Sequence, residues 1–506
     1  MTPMRLCPAM AAAALVLVAG QAATAQVIDA TWINDTSGAW SDAARWSTPD
    51  FPTARGPDIY RAIIDFDSGG PYTISLGTDI DLDQLVYTSG DATIDGGGVG
   101  TLTVRTDIEF GDATIRAVAE LMSEGTLRFT GSVLCEIDDT PACQVGSLAR
   151  KIGTGDIAFR GSTVFMVSDA STFTVENSGD LIGDGTARFS NEGTFSKQSP
   201  GLTRIDGVGF ENTGTVEVQQ GTLEITNPIL PSIGTLGPST YDINAGAALE
   251  FTGTLLTTNQ ADVLFRGPGA TFTQLSTVDL NQGLVQTENG ATFAFASTSP
   301  LINEGSLIAN GPGSTISTVV AINNAGGDIT VIDGGVVSAG GPGLTNNGLV
   351  QGTGTINAET FVNNGLVSPG NSPGILVTES AGGSNHVYQQ DATGTLLIEI
   401  AGRTPGATHD VLDVRGIALI DGRLELEFSP FSGEPPVQPG DQFQIILADG
   451  LDGIFRDVEL RGLGTEGLVD VFYTPAGVQV VVREVPAPGA ASLLAMAGLL
   501  AARRRR

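Results

Sequence analysis

Asn281-Gln282-Gly283, Asn303-Glu304-Gly305, Asn324-Ala325-Gly326, Asn346-Asn347-Gly348 and Asn363-Asn364-Gly365 follow one another with a spacing close to twenty, shorter only at the last step. Earlier copies stand at Asn177-Ser178-Gly179, Asn191-Glu192-Gly193, Asn212-Thr213-Gly214 and Asn244-Ala245-Gly246. A β-forming pair typically comes next, as in Thr215-Val216, Leu349-Val350 and Leu366-Val367. A period near twenty marks a repeat in which no unit buries its apolar face alone, so stability must come from neighbours. Two or three short strands with their turns fill such a period. Asn is expected to take the left-handed conformation there, and Gly to accept positive φ. The spacing therefore predicts an all-β chain folded as a right-handed parallel β-helix, with like residues aligned in ladders. A string of β-sandwiches would instead place turns roughly every 8–12 residues.

Working outward, the same grammar extends to the N-terminal side. Tyr72-Thr73-Ile74-Ser75-Leu76 and Thr101-Leu102-Thr103-Val104-Arg105 alternate polar and apolar residues, and Asp95-Gly96-Gly97-Gly98 punctuates them. Alternation with period two between glycine turns reads as strand. The composition agrees, with 68 Gly in 506 residues and only 16% charged residues. We expect a repeat region over 72–380 and a further β module over 381–483. Before them, residues 26–71 hold all three tryptophans, Trp32, Trp40 and Trp46. Aromatics at the start of a solenoid suit a cap that hides the open end of the first coil. Stacking of a sugar on these indoles is the other use for them.

The two ends read as addresses. Residues 1–25 carry Arg5, an apolar stretch from Ala9 to Gly20, and Ala23-Thr24-Ala25 before Gln26. This is the layout of a cleavable secretory signal peptide, with cleavage expected between Ala25 and Gln26. Residues 484–506 carry Pro486-Ala487-Pro488, an apolar run over 489–502, and Arg503, Arg504, Arg505 and Arg506. That apolar run is short for a stable membrane span, and terminal arginines hold their end on the cytoplasmic side. This three-part tail resembles the PEP-CTERM sorting signal, although Ala487 stands where that family has Glu. The segment Gly365-Leu366-Val367-Ser368-Pro369-Gly370-Asn371-Ser372-Pro373-Gly374-Ile375-Leu376, with His409-Asp410-Val411-Leu412-Asp413-Val414 after it, resembles the terminal coils of autotransporter-like passengers and of many PEP-CTERM proteins. The resemblance implies a short C-terminal apolar helix, an exosortase-type processing enzyme as partner, and transient membrane anchoring through the tail.

The chemistry is sparse. Acidic residues outnumber basic ones 56 to 24, a net charge of −32, and the only lysines are Lys151 and Lys197. Such a surface repels nucleic acid, whose binding needs clustered Lys and Arg. Gly370-Asn371-Ser372-Pro373-Gly374 matches the nucleophile-elbow spacing, but a strand rather than a helix is expected to follow, so it reads as a turn. His386 and His409 are the only histidines, and neither context places it beside that serine. Asp79, Asp81 and Asp83 alternate like the start of a calcium loop, and Asp65 and Asp67 form a second pair. The loop lacks its glycine and its twelfth-position acid, so a solvated strand face is expected, with weak surface Ca2+ binding as the other reading. No cofactor is expected. Cys7 lies in the signal segment, leaving Cys135 and Cys143, for which a small-loop disulfide is the expectation in an exported chain. Together these features predict an exported, non-enzymatic structural or adhesive protein of the cell envelope or extracellular matrix, with extracellular polysaccharide a candidate partner. The alternative is a polysaccharide-acting β-helix enzyme or a carbohydrate-binding protein.

Overall fold

The computed structural model describes residues 25–484, apart from 68, 133, 371–372, 381–385, 430–436 and 463–466. The described chain is built of short strands with two single 3-10 turns, Ala43–Arg45 and Thr273–Thr277. It is a parallel β-solenoid, as the period near twenty requires. Nineteen strands, from Val27–Thr31 to Asp457–Arg461, form one unbroken parallel ladder along a single face. At the usual strand spacing of about 4.8 Å, that ladder is about 85 Å long. Two further strand positions per coil build the other faces. Asp262, Leu284, Ser306 and Asp328 sit one above another, each at the same place in its coil. The ladder passes through the expected borders at 71 and 380 without interruption. Residues 26–71 supply its first strands, and Thr395–Ile400, Arg423–Phe428 and Asp457–Arg461 its last.

Alternation decides what lies inside. Val263, Val285, Leu307, Ile329, Val350, Val367, Leu396 and Leu424 occupy one inward register and are fully or almost fully buried. In the N-terminal half phenylalanine takes this role. The rings of Phe165, Phe189 and Phe210 stack with centroids 5.1 and 5.6 Å apart. Phe173 and Phe195 stack at 5.5 Å beside them. Each such pair adds on the order of 1 kcal/mol to simple burial.

The two ends are closed differently. Trp46 packs against Trp32 edge to face and against Trp40 at a tilt, with centroids 5.2 and 4.9 Å apart, and all three rings are buried. Trp46 Nε1 donates to Trp40 O at 2.8 Å, and Trp40 Nε1 to Pro52 O at 3.0 Å. Buried indoles leave no ring face for a sugar. At the other end the strand direction reverses. Gln442–Gly453 pairs antiparallel with Gly477–Glu484, which pairs antiparallel with Gly467–Thr474. A hairpin laid antiparallel cannot template another parallel coil, so it terminates that sheet. The expected signal segment up to Thr24, the sorting residues Pro486, Ala487, Pro488 and Arg503 to Arg506, and the expected apolar helix lie outside the described residues. Ala25 and Gln26 are exposed just before the first strand.

Candidate functional site

The Asn-x-Gly turns resolve into a buried ladder of side-chain amides. Asn259 donates to Asn281 Oδ1 at 2.8 Å, Asn281 to Asn303 at 2.7 Å, Asn303 to Asn323 at 2.7 Å, Asn323 to Asn346 at 2.8 Å and Asn346 to Asn363 at 2.9 Å. Asn363 passes the series to Gln390 Oε1 at 3.2 Å. The amide of each residue also serves main-chain carbonyls, as in Asn303 to Gly305 O and Asp328 O, both at 3.1 Å. Asn191 and Asn212 form a shorter ladder of the same kind.

The expectations about this motif are corrected in three respects. None of these asparagines is left-handed. Gly179, Gly246 and Gly326 do take positive φ, but Gly283, Gly305, Gly348 and Gly365 do not. Asn is there because its amide both donates and accepts, which lets it pair with a copy of itself above and below. Gly is there because a Cβ at these positions would run into a carbonyl oxygen of the coil beneath, Gly283 O in the case of Gly305. The rung residue of the Asn324 copy is Asn323, whereas Asn324 turns outward and donates to Glu304 at 3.2 Å.

Many charged residues hold neighbouring coils together. Arg61 pairs with Asp29, Arg105 with Asp81, Arg128 with Asp107, Arg150 with Glu176, Arg204 with Glu224, and Arg266 with both Asp242 and Glu288. Each is a contact between adjacent coils, worth about 0–1 kcal/mol on an exposed face. Four of the five aspartates singled out above are used in the same way, Asp81 through its pair with Arg105. Asp79 accepts from Thr101 N, Asp83 from Tyr60 N, and Asp67 from Ser89 Oγ and Gly90 N. These four are turn and inter-coil acceptors. Among the described residues no three His, Cys, Asp or Glu side chains converge as a metal site.

The lysines are buried, a placement that their sequence context does not announce. Lys197 Nζ points into a cage of Ser199 O, Ser199 Oγ at 2.9 Å, Gly201 O at 3.2 Å and Gln220 O at 3.3 Å. Loss of solvent pulls its pKa down to about 8. Lys151 caps Ser178 O at 2.7 Å and Gly153 O at 3.2 Å two coils earlier, in the same inward register.

The expected Cys135–Cys143 bridge is not formed. Cys143 is a free thiol buried in the core, between Leu121 and Phe165 in its register, and burial raises its pKa. The two cysteines belong to different sheets on either side of a corner, and the apolar column claims Cys143.

The histidines do not meet. His386 contacts Ala358 O at 2.7 Å and Thr378 Oγ1 at 3.0 Å, His409 contacts Gly402 O at 3.1 Å, and burial lowers the pKa of both. Ser372 lies outside the described residues. The strand Ile375–Glu379 comes after it, as expected, where a nucleophile elbow would need a helix.

Concavities interrupt the regular surface of the described residues. A groove of about 530 Å³ opens along the corner that carries the Asn-x-Gly turns. The turn residues Asp169, Glu192, Thr213 and Gln260 line it, as do Thr194, Thr215, Thr240 and Asp262 from the strands that follow. Thr194, Thr215, Thr240 and Asp262 are in register on successive coils. The coil from Thr215 to Thr240 is longer than those before and after it, and its Pro238 also lines the groove.

No protein-family model matches the chain, and no relative is found among curated proteins.

Proposed function

We propose that this protein is an exported structural or adhesive rod, carried across the membrane by its signal segment and sorted through its tail to the envelope or extracellular matrix. The observation that supports this most is the unbroken parallel ladder from Val27 to Arg461, closed at one end by tryptophans and at the other by a reversed hairpin. A stack of near-identical coils has few internal degrees of freedom and presents an extended surface, which suits spacing and contact. The excess of acidic residues adds solubility and mutual repulsion between rods. An exosortase-type enzyme is the processing partner that the tail suggests.

Recovery of the protein from its native host tests this reading. Antibody labelling of intact cells is expected to find the rod at the surface or in the matrix. Intact-mass analysis is expected to show a new N-terminus at Gln26. Retention inside the cell with residues 1–25 in place would refute export. Sustained turnover of a polysaccharide by the purified chain would refute the structural role.

A further inference from the structure

We infer that the corner groove is a binding site for a neutral, hydroxyl-rich glycan laid along the solenoid axis. This names a partner for the surface role proposed above and rests on that reading.

The argument begins with what the groove leaves unused. Elsewhere on the rod, many carboxylates are engaged by arginines or by backbone N–H groups of the next coil. In the groove, the carboxylates of Glu192 and Asp262 and the hydroxyls of Thr194, Thr215 and Thr240 bond no other described residue. A column of threonines on the outer side of these strands is not needed for the core, since the alternate residues Phe195, Val216 and Tyr241 supply it. The result is a row of donor–acceptor hydroxyls flanked by side-chain carboxyl groups. That is the complement of a polyol, whose hydroxyls donate charge-assisted bonds to carboxylates and exchange neutral ones with threonine.

The geometry also fits a chain rather than a single sugar. The lining steps up the axis by one rung, about 4.8 Å, per coil, close to the length of one pyranose residue in an extended glycan. Gly193 and Gly214 also line the groove. Asp169, Glu192 and Asp262 line the groove and no basic residue does. This charge selects against uronate, sulfate and phosphate polymers.

The test uses the full chain and three immobilised polymers: a neutral β-glucan, a neutral mannan and polygalacturonate. The inference expects retention on at least one neutral polymer, little on polygalacturonate, and competition by the matching oligosaccharide of four or more units. Replacing all three threonines (Thr194→Val, Thr215→Val, Thr240→Val) is expected to weaken binding at least tenfold. These outward, nearly isosteric changes should leave the circular-dichroism melt unchanged. Glu192→Gln with Asp262→Asn is expected to weaken neutral binding and to raise retention on polygalacturonate. No retention on either neutral polymer, preference for polygalacturonate, or binding untouched by both variants would overturn the inference. If the triple variant unfolds early, the double carboxylate variant decides. Surface labelling is read separately, so a rod that reaches the surface yet binds neither neutral polymer removes only this inference.

Discussion

Asp410 accepts a hydrogen bond at 2.8 Å from the backbone N–H of Gly374, far earlier in the chain. Its other oxygen accepts from Glu399 N–H, also at 2.8 Å. A single buried carboxylate thus ties Gly374 to the strand Thr395–Ile400. Gly370 is glycine partly because a Cβ there would meet this carboxylate. Burial pushes the Asp410 pKa up to about 7, against 3.8 in the open chain. Between those values the folded protein holds a proton that the unfolded chain has released. The contribution of Asp410 is therefore fully present below about pH 4 and declines as pH rises through 7. Asp410→Asn can satisfy only one of the two N–H groups, at a cost of about 1–3 kcal/mol. Urea unfolding at a series of pH values should show the gap between wild type and variant narrowing from pH 5 to pH 8. A gap that widens would contradict this account.

The amide ladder has no tolerance for a missing member. Asn303→Ala leaves the buried Asn323 Oδ1 without its ladder donor and takes from Asn281 Nδ2 one of its three acceptors. The orphaned oxygen costs about 1–3 kcal/mol. Asn324→Ala, one turn residue further out, removes only an exposed contact with Glu304 and should cost under about 0.5 kcal/mol. Asn323→Ala should resemble Asn303→Ala instead. Denaturant midpoints of the three variants are the measurement, and equal losses at Asn323 and Asn324 would contradict the ladder.

Gly305→Ala should destabilise the rod by about 1–3 kcal/mol, because the added methyl must displace the carbonyl of Gly283. The cause is close stacking and not a left-handed backbone, since Gly305 does not take positive φ. Thermal melts of wild type and Gly305→Ala are the measurement.

Folded protein should react with amine-directed reagents at its N-terminus alone. Lys197 is held among four oxygens and Lys151 is capped by two carbonyls, both inside the coils. Mass spectrometry after labelling in buffer and in concentrated guanidinium is expected to show both lysines modified only in denaturant. Folding lowers the Lys197 pKa from 10.5 to about 8, so between those values the unfolded chain holds the extra proton. The stability of wild type relative to Lys197→Met should therefore rise across that window, as the buried ammonium gives up its proton and its desolvation cost.

How far the sequence discloses this molecule varies from residue to residue. The spacing of Asn281 and Asn303 is enough for a parallel solenoid, because that spacing is a direct image of the coil. The chemistry of the motif is not legible, since a turn asparagine and a ladder asparagine are spelled alike. Asn259 is masked because Ala261 stands where the other copies have Gly. Gln390 is masked because it closes the ladder with a longer amide. The first coils are hidden by the wide gap between Val27 and Ile59, which pair in register yet lie far outside the later period. The cysteine pair misleads because closeness in the chain does not put two residues in one sheet. The groove leaves no motif at all. Only the stacked register brings its threonines together.

The ladder runs in one sense, each amide handing the same bond to the next from Asn259 to Gln390. The coils between them therefore present matching surfaces, one to each neighbour. Duplication or loss of such a segment changes nothing at the tryptophan lid or at the terminal hairpin. The reach of the rod is thus a heritable quantity that a gene can adjust in whole steps, while the chemistry of both ends stays fixed.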